Sequence, residues 1–396
     1  MKNKKKILFV SPGPNLIDPK TGTDNRLHNL VIQLLKRNEV IALIPQKHIE
    51  RLSNNLSFKV CGFKMGSSPF LTDLNINFLI ALLRVLRKEQ INAIHIAFPQ
   101  GIITSKLLCR LLGLDIPIIY DAQKVEGDSA KDFGNPNLSF LKRLGAPYCI
   151  PLLERFAIKI ANHVISVSNI DRSRFVEKYN LEPSKVSVIP SGVNLREFHS
   201  ASSSNDMEKK LGVELKIKIV FHGLYSYFPN KEAVDLIVDY IAPKIYKKHK
   251  NSVFLIAGKD VPVFEKKNVK SVGFVDDVYS FLNIADIAIA PLLHGGGTKL
   301  KILDYMGARL PIVTTKKGME GIEAENCEHA IIVDNVDEEF INAIEYLIEN
   351  KHERERLGRN ARKLAEEKYD WEKIGEKLNG LYSNLMEEDK RRKIND

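Results

Sequence analysis

Residues 6–36, KILFVSPGPNLIDPKTGTDNRLHNLVIQLLK, decide the architecture. Ile7-Leu8-Phe9-Val10 is apolar without alternation, as a strand covered on both faces requires. A loop rich in proline and glycine follows, and Gly22-Thr23 then opens a helical pattern expected over 25–36. Strand, loop and helix in that order form the first half of a βαβ unit, whose crossover returns the next strand parallel to the first. The alternation continues, with strands expected at 39–44, 93–96, 116–120, 163–167 and 186–189. Helices are expected at 75–88, 103–112 and 139–160, with Pro147 and Pro151 splitting the last into two pieces.

A polar stretch, HSASSSNDMEKK, begins at His199 and has no periodicity, so it reads as a linker. The alternation then restarts, with strands expected at 216–221, 252–257, 269–272, 287–290, 311–314 and 330–333, and helices at 231–246, 278–284 and 298–306. The expected organisation is an N-terminal domain at 1–198, a linker at 199–215, a second domain at 216–370, and a helical, charged tail at 371–396 that packs back on the first domain. The expected fold class is α/β, two doubly wound Rossmann-like domains facing across a cleft lined by strand C-termini.

The chain has 396 residues and a net charge of +10, which is distributed unevenly. Residues 1–190 hold 27 Lys/Arg against 15 Asp/Glu, whereas 191–396 hold 32 against 34. The excess suits an anionic partner or simply keeps the surface solvated. Cys61, Cys109, Cys149 and Cys327 have no paired spacing, which argues against a disulfide framework or zinc site and fits a reducing, cytoplasmic compartment. The apolar run at 7–10 is too short for a signal peptide or a membrane span. Membrane association is therefore expected to be peripheral.

The sharpest local signal is Pro291-LLHGGGTKLKILDY-Met306, a strand end, three glycines and a helix. Gly295, Gly296 and Gly297 would let backbone N–H groups approach an anion, with Thr298 and the helix N-terminus behind them. Lys301 and Asp304 share a helix face at i,i+3, while Lys299 points elsewhere. A flexible turn followed by an ordinary salt bridge explains the same residues equally well. Gly22 and Thr23 offer a second site, with Arg26 a candidate phosphate clamp or a surface arginine, and no G-x-G-x-x-G is present. The loop DAQKVEGD, from Asp121 to Asp128, places carboxylates after a strand, where acid–base chemistry or hydroxyl binding is common. The histidines show no metal-ligand spacing and there is no G-x-S-x-G elbow.

Together these segments resemble the GT-B glycosyltransferases of the "glycosyl transferases group 1" family, related to glycosyltransferase family 4. The resemblance is carried in family order by GTDNR at 22–26, DAQKVEGD, ANHVISVS at 161–168, VIPSGVN at 188–194, FHGLYSYFPN at 221–230, GFVDD at 273–277 and the glycine–lysine–aspartate segment. It implies a retaining transfer from a nucleotide-diphosphate sugar to a glycan or lipid-linked acceptor. With no compact carboxylate–His cluster in the sequence, the transfer is expected to need no metal or other cofactor, and basic segments without interleaved aromatics argue against nucleic acid. The resemblance places Gly22, Thr23, Arg26, Gly223, Gly295–Thr298, Lys299 and Lys301 near the diphosphate, Asp304 at the ribose, and backbone at Phe274 and Val275 at the base. Gln123 stands where many members have histidine, and Glu126 matches a family acidic residue; both are expected to be catalytic. The histidine-to-glutamine change leaves one alternative, a catalytically inactive nucleotide-binding scaffold. The implied location is the cytoplasm, at the inner membrane face.

Overall fold

The computed structural model describes residues 4–49, 56–66, 68–126, 140–200, 204–264 and 266–395. The chain divides into two compact units, Met1–Ser191 with Trp371–Asp396, and Gly192–Asp370.

Among the described residues the first unit carries seven parallel strands: β1 (Lys5–Val10), β2 (Asn38–Pro45), β3 (Lys59–Phe63), β4 (Ala93–Ala97), β5 (Ile118–Asp121), β6 (His163–Ser166) and β7 (Val186–Val188), in the order β3-β2-β1-β4-β5-β6-β7. The reversal of order beside β1 is the doubly wound switch point, where loops after β1 and β4 diverge. β3 was not expected: its sequence KVCGF sits at the sheet edge with Lys59 and Gly62 exposed, so it lacks a continuous apolar run. Helix α1 spans Gly22–Leu35 and begins three residues earlier than its apolar pattern. Thr21 caps it in a capping box with Asp24, satisfying N–H groups that would otherwise be orphaned. Phe140–Ile160 is one helix rather than two, since each proline removes a hydrogen bond without ending the helix.

Among the described residues the second unit carries six parallel strands: β8 (Ile217–His222), β9 (Ser252–Ala257), β10 (Val269–Gly273), β11 (Ile287–Ala290), β12 (Ile312–Thr315) and β13 (Ile331–Val333), ordered β10-β9-β8-β11-β12-β13. Strands β9 and β11 are completely buried, which explains their unalternated SVFLIA and IAIA. Helix α2 (Leu300–Gly307) follows β11. The expected linker belongs to this unit. Of that stretch Val213 is buried in its core, and Met207 and Leu211 pack on that core from the helix Ser204–Leu211, while Val193, Leu195 and Phe198, expected in the first domain, are buried in the same core because the second unit begins at Gly192. Serine-rich composition hid an apolar side spread thinly along the segment.

Helix α3 (Trp371–Asn395) belongs to the first unit. Trp371, Ile374, Leu378, Tyr382 and Met386, at helical spacing, enter one cluster with Phe9, Leu27 and Leu34. Gly375 lies against the Gln33 side chain, where a Cβ would collide. Asn379 donates to Gln33 O at 2.9 Å and accepts from Asn38 Nδ2 at 2.8 Å, which satisfies these groups within the packing, while the Gln33 Oε1 beside Gly375 is buried without a partner.

Candidate functional site

In the second unit, parallel strands bring the loops after β8, β9, β10 and β11 to one sheet edge. Gly223 follows β8, and a Cβ there would come within 2.7 Å of Asn230 Nδ2 and 3.0 Å of Lys301 Nζ. Gly258 follows β9, and a Cβ there would collide with Gly223 O. These two glycines let the backbone close on one side of Lys301.

Lys301, in the first turn of α2, donates from Nζ to Asn230 Oδ1 at 2.7 Å and sits 3.8 Å from the Phe221 ring centroid. Asn230 is fixed by donating to Leu224 O at 2.9 Å. Burial pulls the Lys301 ammonium down to about 7, against the attraction of Asp304. Asp304 lies one turn on and meets His222 Nε2 at 3.3 Å; His222 N in turn donates to the Tyr305 hydroxyl at 3.2 Å. The Thr298 Oγ1 is buried with no hydrogen-bond partner, an uncompensated polar atom beside the glycine loop. The arrangement is a desolvated cation, a spare hydroxyl and closely approaching backbone, which suits an anionic, oxygen-rich ligand.

Lys299 behaves differently from the expectation that it faces a diphosphate. Its Nζ donates to Gly295 O at 3.0 Å and Gly297 O at 2.7 Å and lies 3.5 Å from Glu320, with the side chain 7% exposed. It braces the loop from behind. Gly295 has φ +107° and packs near Pro229 and Tyr227, Gly297 has φ +69°, and Gly296 is exposed. Beyond β10, Phe274 is 69% exposed, while Val275 packs on the core.

In the first unit, Gly22 is exposed and Thr23 half-buried at the start of α1. Arg26 is neither a surface residue nor a free phosphate clamp. It is 1% exposed and pairs with the fully buried Asp121 at 2.9 Å, with Ser191 Oγ at 3.5 Å. Burial alone would raise Asp121, but Arg26 and His95 overcome it and hold the carboxyl below its ordinary range. His95 stacks on Phe9 at 4.1 Å, and its Nδ1 lies 2.6 Å from the Tyr382 hydroxyl. Gln123 donates from Nε2 to Asp121 Oδ2 at 2.8 Å, which fixes the direction of its amide. Glu126 is buried; desolvation pushes it up to about 6, despite Lys124 Nζ at 3.9 Å. Its N–H donates to the buried Glu154 at 2.9 Å. Asp128 lies outside the described residues.

The structure thus brings Lys301, Asp304, Thr298 and Gly223 together in one unit, and Arg26, Gln123 and the Asp121 loop together in the other. Sequence reasoning missed Asn230, Gly258, Glu320 and His95, whose partners are far away in the chain. Among the described residues, no group of three or more His, Cys, Asp or Glu is placed to hold a metal ion, and no helix is long and apolar enough to cross a membrane.

Two family models match in succession: Glycosyltransferase Family 4 over residues 21–197 and Glycosyl transferases group 1 over 216–350. The chain belongs to the group 1 glycosyltransferases of the GT-B fold. This transferase is 24% identical over 327 residues to the Escherichia coli UDP-Gal:alpha-D-GlcNAc-diphosphoundecaprenol alpha-1,3-galactosyltransferase, covering 78% of this chain and 79% of that one. It is 25% identical over 223 residues to alpha-monoglucosyldiacylglycerol synthase of Acholeplasma laidlawii, covering 52% and 54%. The Anabaena HepE structure in complex with UDP-glucose shares the fold, with a TM-score of 0.69 over 96% of this chain and 99% of that one at 14% identity. These relatives do not favour the inactive-scaffold alternative for the transferase.

Proposed function

We propose that this transferase moves a sugar from a nucleoside-diphosphate sugar to a hydroxyl of a lipid-linked glycan acceptor, retaining anomeric configuration, without a metal ion or other cofactor, at the cytoplasmic face of the membrane. The observation that carries the donor reading is the Lys301 site, an ammonium over an aromatic ring with one neutral oxygen partner, three residues after the buried Thr298 hydroxyl that has no partner. A diphosphate supplies the missing charge and acceptor atoms.

In the reaction the anomeric C–O bond breaks, and its electron pair leaves with the diphosphate while the ring acquires oxocarbenium character. Lys301 and the loop amides stabilise that growing charge, and low polarity around the ammonium strengthens the attraction. Asp304, with His222 beside it, accepts from ribose hydroxyls, and the backbone at Phe274 and Val275 holds the base. The acceptor hydroxyl attacks on the leaving-group face. Gln123 presents a fixed amide to the sugar, and Glu126 serves as the nearby acid–base group. The acceptor reading takes its support from the basic first half of the chain, from the diphosphoundecaprenol-linked substrate named for one curated relative and from the glucosyldiacylglycerol named as the product of another.

A thermal-shift screen of uridine, guanosine, adenosine and cytidine diphosphates tests the donor site, because ligand binding raises apparent stability by mass action. One of them is expected to raise the midpoint by several degrees, and no shift with any of them refutes the assignment. Turnover is expected to persist in excess EDTA. Complete loss, restored only by a divalent ion, overturns metal independence.

A further inference from the structure

Glu154 is a buried carboxylate that the proposed reaction leaves unused. It lies on the helix Phe140–Ile160, where Ile150, Glu154, Ala157 and Ile158 fall at i, i+4, i+7 and i+8 and are all buried, so the acid occupies the apolar face. Packing alone would favour another apolar residue there, because a carboxylate taken from water is costly unless its oxygens are met. Donors from three other segments meet them. The backbone N–H of Glu126, at the end of the loop after β5, donates to Oε1 at 2.9 Å. The Tyr120 hydroxyl, from β5, donates to the same oxygen at 3.4 Å, and the Tyr179 hydroxyl, from the end of the helix Asn169–Tyr179, donates to Oε2 at 2.5 Å. Burial first, and Glu154 next, hold the Tyr120 phenol well above its ordinary range, so it remains a donor.

The loop that ends on Glu154 is the one the proposed transfer depends on. Arg26 holds its beginning through Asp121 at 2.9 Å, Asp121 fixes the Gln123 amide at 2.8 Å, and Glu154 holds its end through Glu126. Among the described residues the charged groups that act on the Glu126 carboxyl are Lys124, with Nζ at 3.9 Å, and Glu154. Burial is the largest influence and raises it, Lys124 opposes, and Glu154 adds to the rise, since a like charge disfavours ionisation.

We propose that Glu154 is a positioning residue for the transfer: it fixes the end of the loop that presents Gln123 and Glu126, and its negative charge biases the Glu126 carboxyl toward the protonated form. One carboxyl, met by donors, gives up its proton while the neighbouring one keeps its own, and their roles separate. The catalytic consequence rests on the acid–base reading of Glu126.

Two variants divide the two effects. Glu154→Gln keeps Oε1 for the Glu126 N–H and offers Nε2 to the Tyr179 oxygen, so it removes the charge and keeps the bonds. Glu154→Asp keeps the charge and, one methylene shorter, draws back from the Glu126 N–H. The Glu126 carboxyl is followed from about pH 4 to 8 by carbon-13 NMR of the glutamate-labelled full chain, its signal assigned by its absence in Glu126→Gln, and kcat is measured over the same range. In Glu154→Gln the midpoint should move from about 6 part of the way to 4.5, and the acid limb of kcat should move with it. In Glu154→Asp the midpoint should stay at about 6 while kcat falls about tenfold and the nucleoside-diphosphate thermal shift is unchanged. A wild-type Glu126 midpoint in Glu154→Gln, or wild-type kcat in Glu154→Asp, overturns the proposal. Loss of the folded state in both variants also overturns it, by reducing Glu154 to a part of the core. The carboxyl midpoint is read without turnover, so a kcat limb that survives Glu126→Gln refutes the acid–base reading of Glu126 alone and leaves the role of Glu154 to be decided by the spectra.

Discussion

Replacing Lys301 with methionine should move stability and ligand affinity in opposite directions. In the folded chain the ammonium is held down to about 7 by burial, below the 10.5 of a solvated lysine. Each pH unit of such a difference corresponds to roughly 1.4 kcal/mol. At neutral pH the unfolded chain keeps this proton freely while the folded chain holds it at a cost, so the lysine destabilises the fold by at most a few kcal/mol. Methionine of similar length removes that cost but leaves Asn230 Oδ1 without its 2.7 Å donor, a loss of about 1–3 kcal/mol. The net expectation is a variant more stable by about 1 kcal/mol at pH 7. The sign has a pH signature. Wild-type stability should rise between pH 7 and 10.5, where the unfolded state binds more protons, and the wild-type-minus-variant difference should shrink across that window. Losing a charge-assisted bond to phosphate is worth about 1.5–3 kcal/mol, so diphosphate affinity should fall roughly 10- to 100-fold. Urea denaturation at pH 7 and 9.5, with calorimetric titration of the diphosphate found by the screen, reads both. A variant that is destabilised and binds the diphosphate as tightly as wild type refutes the account of Lys301 as a desolvated cation kept for its ligand.

Gly258→Ala should cost about 3 kcal/mol and abolish the diphosphate thermal shift, because the new Cβ drives into Gly223 O and opens the wall beside Lys301; denaturation and the same screen report both. Asp121→Asn leaves the buried Arg26 without its counter-charge and should destabilise by about 3–5 kcal/mol, measured by urea unfolding. If the Glu126 carboxylate is the acting form, kcat should rise with pH through about 6, and Glu126→Gln should remove that limb from the pH–rate profile. The same residue is raised from 4.5, so its contribution opposes folding increasingly from pH 4.5 to 6, and Glu126→Gln should gain relative stability across that window.

The catalytic reading of Gln123 depends on a contact 2.8 Å long that sets which amide atom faces outward. Its Nε2 is taken by Asp121, so Oε1 is the atom left to meet a hydroxyl. The identity of the residue was legible in DAQKVEGD; the orientation required Asp121, Arg26 and His95, brought together from three different strands and helices. Lys299 and Lys301 show the same division more sharply. Their spacing separated their directions, but not which one would meet the Asn230 amide and which one would brace the glycine loop. That depended on Asn230 and Glu320, 71 residues upstream and 21 downstream of the lysine each meets.

What the sequence determined by itself is everything carried by local periodicity. Short apolar runs that do not alternate, such as ILFV and IAIA, fit strands buried on both faces, and their regular alternation with helical patterns pointed to the parallel, doubly wound character of both halves. Tertiary structure decided the rest. The edge strand β3 has too little burial to leave a pattern, and the segment 199–215 offers the core Val213, with only Met207 and Leu211 packed beside it. Whether a charged residue serves the ligand or the fold is a question of which distant group lies within about 3 Å of it, because hydrogen bonds and ion pairs act over such distances whatever the separation along the chain.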